Sequence, residues 1–221
     1  KEGLSTFCAQ YTRNPDGSIM DLLSVGINAG AQTVEGYDVT LNYRVELGDY
    51  GKLSFNWDTT YMANNESDYD ADGDIDADDG GSIVGLYFDR SNNWEWRSNL
   101  MTTWTMGDVG ATWSMRFYSD QVESCGDLEY YGYADLCSDP NPDYPLYGAD
   151  GEFTGTNHIG AVTYHDISFF YNTEWKGKFT LGLNNAFAKD PPFSATTFAN
   201  SFDPQYEVPG RFWYMRYEQQ F

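Results

Sequence analysis

Apolar and polar residues alternate along much of the chain. From Tyr37 the odd positions read Tyr37, Val39, Leu41, Tyr43, Val45 and Leu47, and the even ones Asp38, Thr40, Asn42, Arg44 and Glu46. A period of two places the first set on one face of a β-strand and the second on the other. Gly48-Asp49-Tyr50-Gly51 interrupts the run. Leu53, Phe55, Trp57, Thr59 and Tyr61 then alternate with Ser54, Asn56, Asp58 and Thr60, so the two runs predict a hairpin. Residues 96–106 and 109–117 predict a second hairpin around Gly107-Asp108, a two-residue connection suited to a tight turn. A third pair, residues 159–173 and 178–188, has Ile167, Phe169 and Tyr171 on the apolar side of its first arm and Phe179, Leu181 and Leu183 on its second, and residues 211–221 supply a last strand.

Upstream, residues 18–47 read as one long strand, preceded by the turn Asn14-Pro15-Asp16-Gly17 and a stub at residues 7–13. The total is seven full strands and a stub. Their connections fall into two sets: short turns of two to four residues, and long loops near residues 64–82, 120–157 and 189–208. Short turns on one side and long loops on the other, with Trp and Tyr near strand ends, are the pattern of an outer-membrane barrel, whose long loops lie outside the cell. The pattern therefore predicts an all-β fold, an antiparallel transmembrane β-barrel segment. An odd strand count does not close a single-chain bacterial barrel, so the chain is expected to be a fragment of a larger one.

Composition sharpens this picture. Of 221 residues, 12 are Lys or Arg and 34 are Asp or Glu, a formal charge of −22, which excludes a nucleic-acid partner bound by phosphate neutralisation. Aromatics make up 18% of the chain, unlike the composition of disordered acidic tails. The mean hydropathy of −0.58 is that of a water-exposed chain, but alternating strands escape such an average.

The acids are concentrated. Residues 65–82 hold Glu66 and seven Asp, and residues 120–158 hold nine more acids, with no Lys or Arg in either. Within the first run, Asp68, Asp70, Asp72, Asp76 and Asp79 fall at places 1, 3, 5, 9 and 12 of a calcium loop. Gly73 stands at place 6 for the sharp turn, Asp74 at place 7 for its carbonyl, and Ile75 at place 8. Calcium is the expected cofactor, with Asp79 in place of the usual Glu.

Three cysteines are present. Cys125 and Cys137 share one polar, glycine-containing stretch with no nearby His, and their spacing suits a loop-closing disulfide. Cys8 is then either a buried thiol or paired with a cysteine upstream. Neither His158 nor His165 has a second imidazole or a Cys at ligand spacing, so zinc is not expected. His165-Asp166 is the one acid–base pair that a hydrolase reading has, and as strand neighbours they point to opposite faces; no enzyme is expected. In the long middle loop, Tyr130, Tyr131, Tyr133, Tyr144 and Tyr147 are candidate ligand contacts through ring stacking.

The C-terminal third resembles the close of a TonB-dependent outer-membrane receptor. Asn185 and Phe187 match an Asn-x-Phe segment that ends the penultimate strand, Pro209-Gly210-Arg211 matches the opening of the last, and Phe221 matches the terminal Phe read by the assembly machinery. Residues 28–38, with Gly36-Tyr37-Asp38, and the Cys8 to Ile19 stretch, with Arg13 and Gly17, resemble upstream segments of such receptors. The resemblance implies that residues 1–221 are the C-terminal part of a 22-stranded barrel, without its plug domain or TonB box. It also implies active import of a siderophore, vitamin, carbohydrate or peptide, with three partners: the rest of the same receptor, the inner-membrane TonB complex and the lipid bilayer. The location would be the bacterial outer membrane. The alternative reading is a self-contained small outer-membrane barrel with a structural or adhesion role.

Overall fold

A computed structural model describes residues 11–22, 31–67, 81–88, 91–140, 146–147, 153–194, 196 and 203–220. The chain divides into two compact units, one of residues 1–35 and 63–83, the other of residues 36–62 and 84–221.

In the first unit, β1 (Tyr11–Arg13) pairs antiparallel with β2 (Ile19–Leu22). The turn between them is closed by Gly17 N donating to Asn14 O at 2.9 Å and by the Asp16 carboxylate accepting from both the amide and the hydroxyl of Ser18. The turn expected at Asn14–Gly17 is present, and of the strand expected over residues 18–47, Ile19–Leu22 and Gln32–Glu46 are extended, whereas residues 23–30 lie outside the described residues. The hydrogen-bonding side chains of Asn14, Asp16 and Ser18 favour a hairpin over an extended run.

The remaining strands build the second unit and its sheet. They are β3 (Gln32–Glu46) and β4 (Lys52–Ser67), whose outer ends belong to the first unit; β5 (Tyr87–Phe88) and β6 (Ser91–Asn92); β7 (Trp96–Met106), β8 (Val109–Tyr118) and β9 (Gln121–Ser124). After them come β10 (Leu146–Tyr147), β11 (Phe153–Thr154), β12 (Thr156–Ile159), β13 (Val162–Asn172), β14 (Gly177–Asn184) and β15 (Phe212–Gln219). Seven of them form one antiparallel sheet in the order β15-β14-β13-β8-β7-β4-β3. Each long strand lies beside the next long strand in the chain, as short connections dictate. Two-stranded ladders β5-β6, β9-β12 and β10-β11 come from the intervening segments.

Register decides the faces, because directly paired residues point the same way. One row runs Phe55, Thr102, Trp113, Ile167, Leu183, Trp213, and another Trp57, Leu100, Met115, His165. These belong to an apolar face on which Tyr37, Leu41, Tyr43, Phe169 and Met215 are exposed. The opposite face carries the rows Asp58, Asn99, Arg116, Tyr164 and Thr60, Arg97, Tyr118, Val162. At the turn between β3 and β4, Gly51 has φ 88°, and a Cβ there would run into the carbonyl oxygen of Thr105, so both backbone conformation and space demand glycine.

The barrel expected from the alternation does not form. The sheet is open, with β3 and β15 at its two ends, each paired with a single neighbour among the described strands. Edge groups like these go unsatisfied in hydrocarbon, at a cost of several kcal/mol each. The 22-stranded transmembrane barrel and the self-contained small barrel are both corrected to an open antiparallel sheet. The outer-membrane location and the bilayer as partner, which rested on closure, are corrected with them. Period-two alternation reports that two faces differ in polarity, and it carries no information on whether the end strands meet. No helix among the described residues is long and apolar enough to cross a membrane.

The buried core lies on the polar face, at one end of the strands. Val162 and Tyr164 are each 1% exposed and pack with Trp94, Tyr206 and the partly buried Tyr118. Three of these are apolar or aromatic residues at face positions that elsewhere hold Asp, Asn and Arg. They accept cover from residues 203–207, where Tyr206 lies edge-on to Trp94, their ring centres 5.8 Å apart.

Candidate functional site

On the polar face, β3, β4, β7 and β8 line a groove of about 480 Å³ with Asp38, Thr40, Asp58, Thr60, Arg97, Asn99 and Tyr118. Every one of these side chains stands at a polar-face position of the alternation. Its floor is a crossed pair of hydrogen bonds: Thr60 Oγ1 donates to Asp38 Oδ1 at 2.6 Å, and Thr40 Oγ1 to Asp58 Oδ1 at 2.7 Å. Each carboxylate is thereby held through one oxygen, and its second has no donor among the described residues. Arg97 is exposed and forms no ion pair among the described residues. The groove thus presents acceptors on β3 and β4, and donors from Arg97 and Asn99 on β7.

Arg116 borders this groove through its register partner Asn99. One nitrogen of its guanidinium donates to Asp166 Oδ2 at 3.0 Å and to Glu207 Oε1 at 2.6 Å. Burial pulls the guanidinium pKa down, but the Glu207 hydrogen bond and the two carboxylate charges outweigh it, and the net shift is upward. Asp166 also accepts from the backbone of Asn185 at 2.8 Å, so this carboxylate is structural.

A second network closes the loops over the end of the sheet. Glu123, fully buried, accepts from Asn157 Nδ2 at 2.5 Å, from Ser194 Oγ at 2.7 Å, and from the amide and hydroxyl of Thr196. Tyr87 donates to Asp203 at 2.8 Å, and Trp94 Nε1 donates to the Tyr206 hydroxyl at 3.0 Å. A buried carboxylate surrounded by donors is costly to break, so these loops are pinned rather than draped. Burial pushes the Tyr206 hydroxyl up to about 12, and does the same to Tyr164.

The residues singled out by sequence are distributed as follows. Cys125 and Cys137 are joined by a disulfide, with Cα atoms 5.9 Å apart. Tyr130, Tyr131 and Tyr133 lie on the loop that it closes and are exposed. Tyr144 lies outside the described residues; Tyr147 is in β10, and its side chain is likewise outside them. Asp68, Asp70, Asp72, Asp74, Asp76 and Asp79, the calcium positions, and Cys8 are outside the described residues as well. His165 sits on the apolar face, its ring stacked 5.8 Å from Trp113 and edge-on to Phe187, while Asp166 faces the other way.

The groove itself was missed by sequence reasoning. Its members lie up to 80 positions apart, from Asp38 to Tyr118, and only the register of four strands brings them together. The legible sign was Arg97 and Asn99, charged and amide positions directly opposite Thr60 and Asp58.

No protein-family model matches this chain, and no curated protein matches it. The resemblance to TonB-dependent receptors, carried most strongly by short segments around Asn185, Pro209 and Phe221, is corrected by the open sheet, and no family model or curated protein supports it. The receptor's plug and upstream strands, the TonB complex and imported-ligand transport are corrected as partners and function on the same ground.

Proposed function

We propose that this chain is a non-catalytic binding module that takes a polyhydroxylated ligand, an oligosaccharide, in the groove on its polar face. The observation that carries the reading is the crossed Thr60–Asp38 and Thr40–Asp58 pairing opposite an Arg97 that has no ion partner among the described residues. A ligand that satisfies this wall must donate to the carboxylate oxygens and accept from the guanidinium and amide within a few ångströms. A hydroxyl does both. A simple anion meets Asp38 and Asp58, and a simple cation meets Arg97, so single-signed ligands are disfavoured. The volume falls within the range of small-molecule sites, and Tyr118, anchored against Trp94 at 4.7 Å between ring centres, offers a rigid apolar wall.

Separation of His165 from Asp166 supports the non-catalytic part of the reading. The spacing from Asp68 to Asp79 supports calcium as a further ligand of the same protein.

The test is a glycan array followed by calorimetry with the best binder. Asp58→Asn and Arg97→Ala each weaken binding about tenfold or more, since each leaves ligand hydroxyls unpaired. An array with no binder, or a zwitterionic amino acid that binds in the sugar's place, overturns the reading.

A further inference from the structure

The disulfide loop displays an aromatic surface whose backbone is fixed from below. Tyr130, Tyr131 and Tyr133 are 82%, 69% and 58% exposed, and the first two rings meet edge to face with centres 5.1 Å apart. Beneath them Cys125, Leu128 and Cys137 form a small buried cluster. The Tyr133 amide donates to Leu128 O at 2.7 Å, and the Leu136 amide to Tyr133 O at 2.9 Å. Both ends are tied to the neighbouring strand: Cys125 N donates to Gly155 O at 2.9 Å, while Asp139 and Thr156 exchange backbone hydrogen bonds of 2.9 and 2.7 Å.

A backbone stapled in this way has already lost the loop freedom that binding would otherwise take from it. Tyrosine, with two side-chain torsions, adds little further cost. The surroundings select the sign of the partner. Residues 120–158 contain nine acids and no Lys or Arg, and Asp135 and Asp139 are exposed beside the tyrosines in sequence. The faces of aromatic rings are themselves negative and attract cations, guanidinium above all because it also stacks.

We propose that residues 126–139 form a docking surface for an arginine-bearing segment of a partner polypeptide, with guanidinium groups stacked on Tyr130 and Tyr131 and the acidic loop supplying the complementary charge. This surface is separate from the groove residues proposed for sugar binding, and it stands or falls independently of them.

Calorimetry with hexa-arginine, hexalysine and hexaglutamate peptides tests it. Hexa-arginine binds more tightly than hexalysine, and hexaglutamate does not bind. Tyr130→Ser/Tyr131→Ser weakens hexa-arginine by about tenfold, whereas Tyr130→Phe/Tyr131→Phe, which keeps both rings, restores it. Circular dichroism and mapping of the Cys125–Cys137 bond confirm that each variant is folded; Tyr131→Ser alone, a milder change, gives a partial loss in the same direction. Equal affinity of the two basic peptides, or a serine variant that binds like the parent, overturns the proposal and leaves only attraction to a chain of high negative charge.

Discussion

The guanidinium of Arg116 and the carboxylate of Glu207 meet at 2.6 Å although 91 residues separate them in the chain. Tyr206 seated on Trp94 and Tyr118, and Asp203 bonded to Tyr87, join this contact in holding residues 203–207 in place.

Glu207→Gln is expected to destabilise the fold by about 1 kcal/mol, the scale of a partly exposed ion pair, because Arg116 keeps Asp166. Arg116→Met costs more, about 2 kcal/mol, since two carboxylates then lose their shared partner. Urea unfolding of both variants checks the order; equal or reversed losses would falsify the shared-partner account.

Removing the disulfide is a larger change. Cys125→Ser/Cys137→Ser is expected to cost about 3 kcal/mol, the loop-closure entropy of a segment this short, with the buried contact between the cystine and Leu128 lost in addition. Denaturant midpoints with and without the bond measure it, and a difference below roughly 1 kcal/mol contradicts the expectation.

Alkaline pH probes the aromatic core. Tyr164 and Tyr206 are each pushed up to about 12 by burial, from an ordinary value of 10.0. Their folded-state values lie above the unfolded one, so the folded protein holds protons that the unfolded chain releases. Their contribution is complete below pH 10 and disappears as pH rises through 12. Stability measured against pH should fall across that window, and Tyr206→Phe should flatten the fall. A curve of unchanged steepness in the variant would count against a role for Tyr206.

Calcium is expected to bind the run from Asp68 to Asp79, tempering the repulsion among its carboxylates. Calorimetric titration of calcium into the protein should show a binding event that Asp70→Asn/Asp72→Asn abolishes. Identical traces would mean that the run is only solvated.

Much of the sheet was legible along the chain. The alternation at residues 37–47, 53–61 and 109–117 assigned strands and their two faces correctly, because side-chain direction in a strand depends only on sequence parity. Gly107-Asp108 located a hairpin because a two-residue turn is a local object, closed by its own backbone. The same locality made the turn at Asn14–Gly17 legible: Asn14, Asp16 and Ser18 make side-chain contacts that fold Ile19–Leu22 back on Tyr11–Arg13.

What the chain alone determined, then, is the long strands of the sheet and their apolar sides, the acidic runs and the proximity of Cys125 to Cys137, whereas short strands such as Gln121–Ser124 lay inside stretches that read as loop. Whether the end strands close, which polar residues share a groove and which loop covers the core were decided only by the tertiary structure. Closure depends on where β3 and β15 lie in space, and nothing within either strand encodes that separation. Glu123 shows the same division: one acid among nine in its segment, it became a fully buried hub only when Asn157, Ser194 and Thr196 converged on it from up to 73 residues away. Burial is a property of neighbours, and neighbours this distant are assigned by packing rather than by pattern.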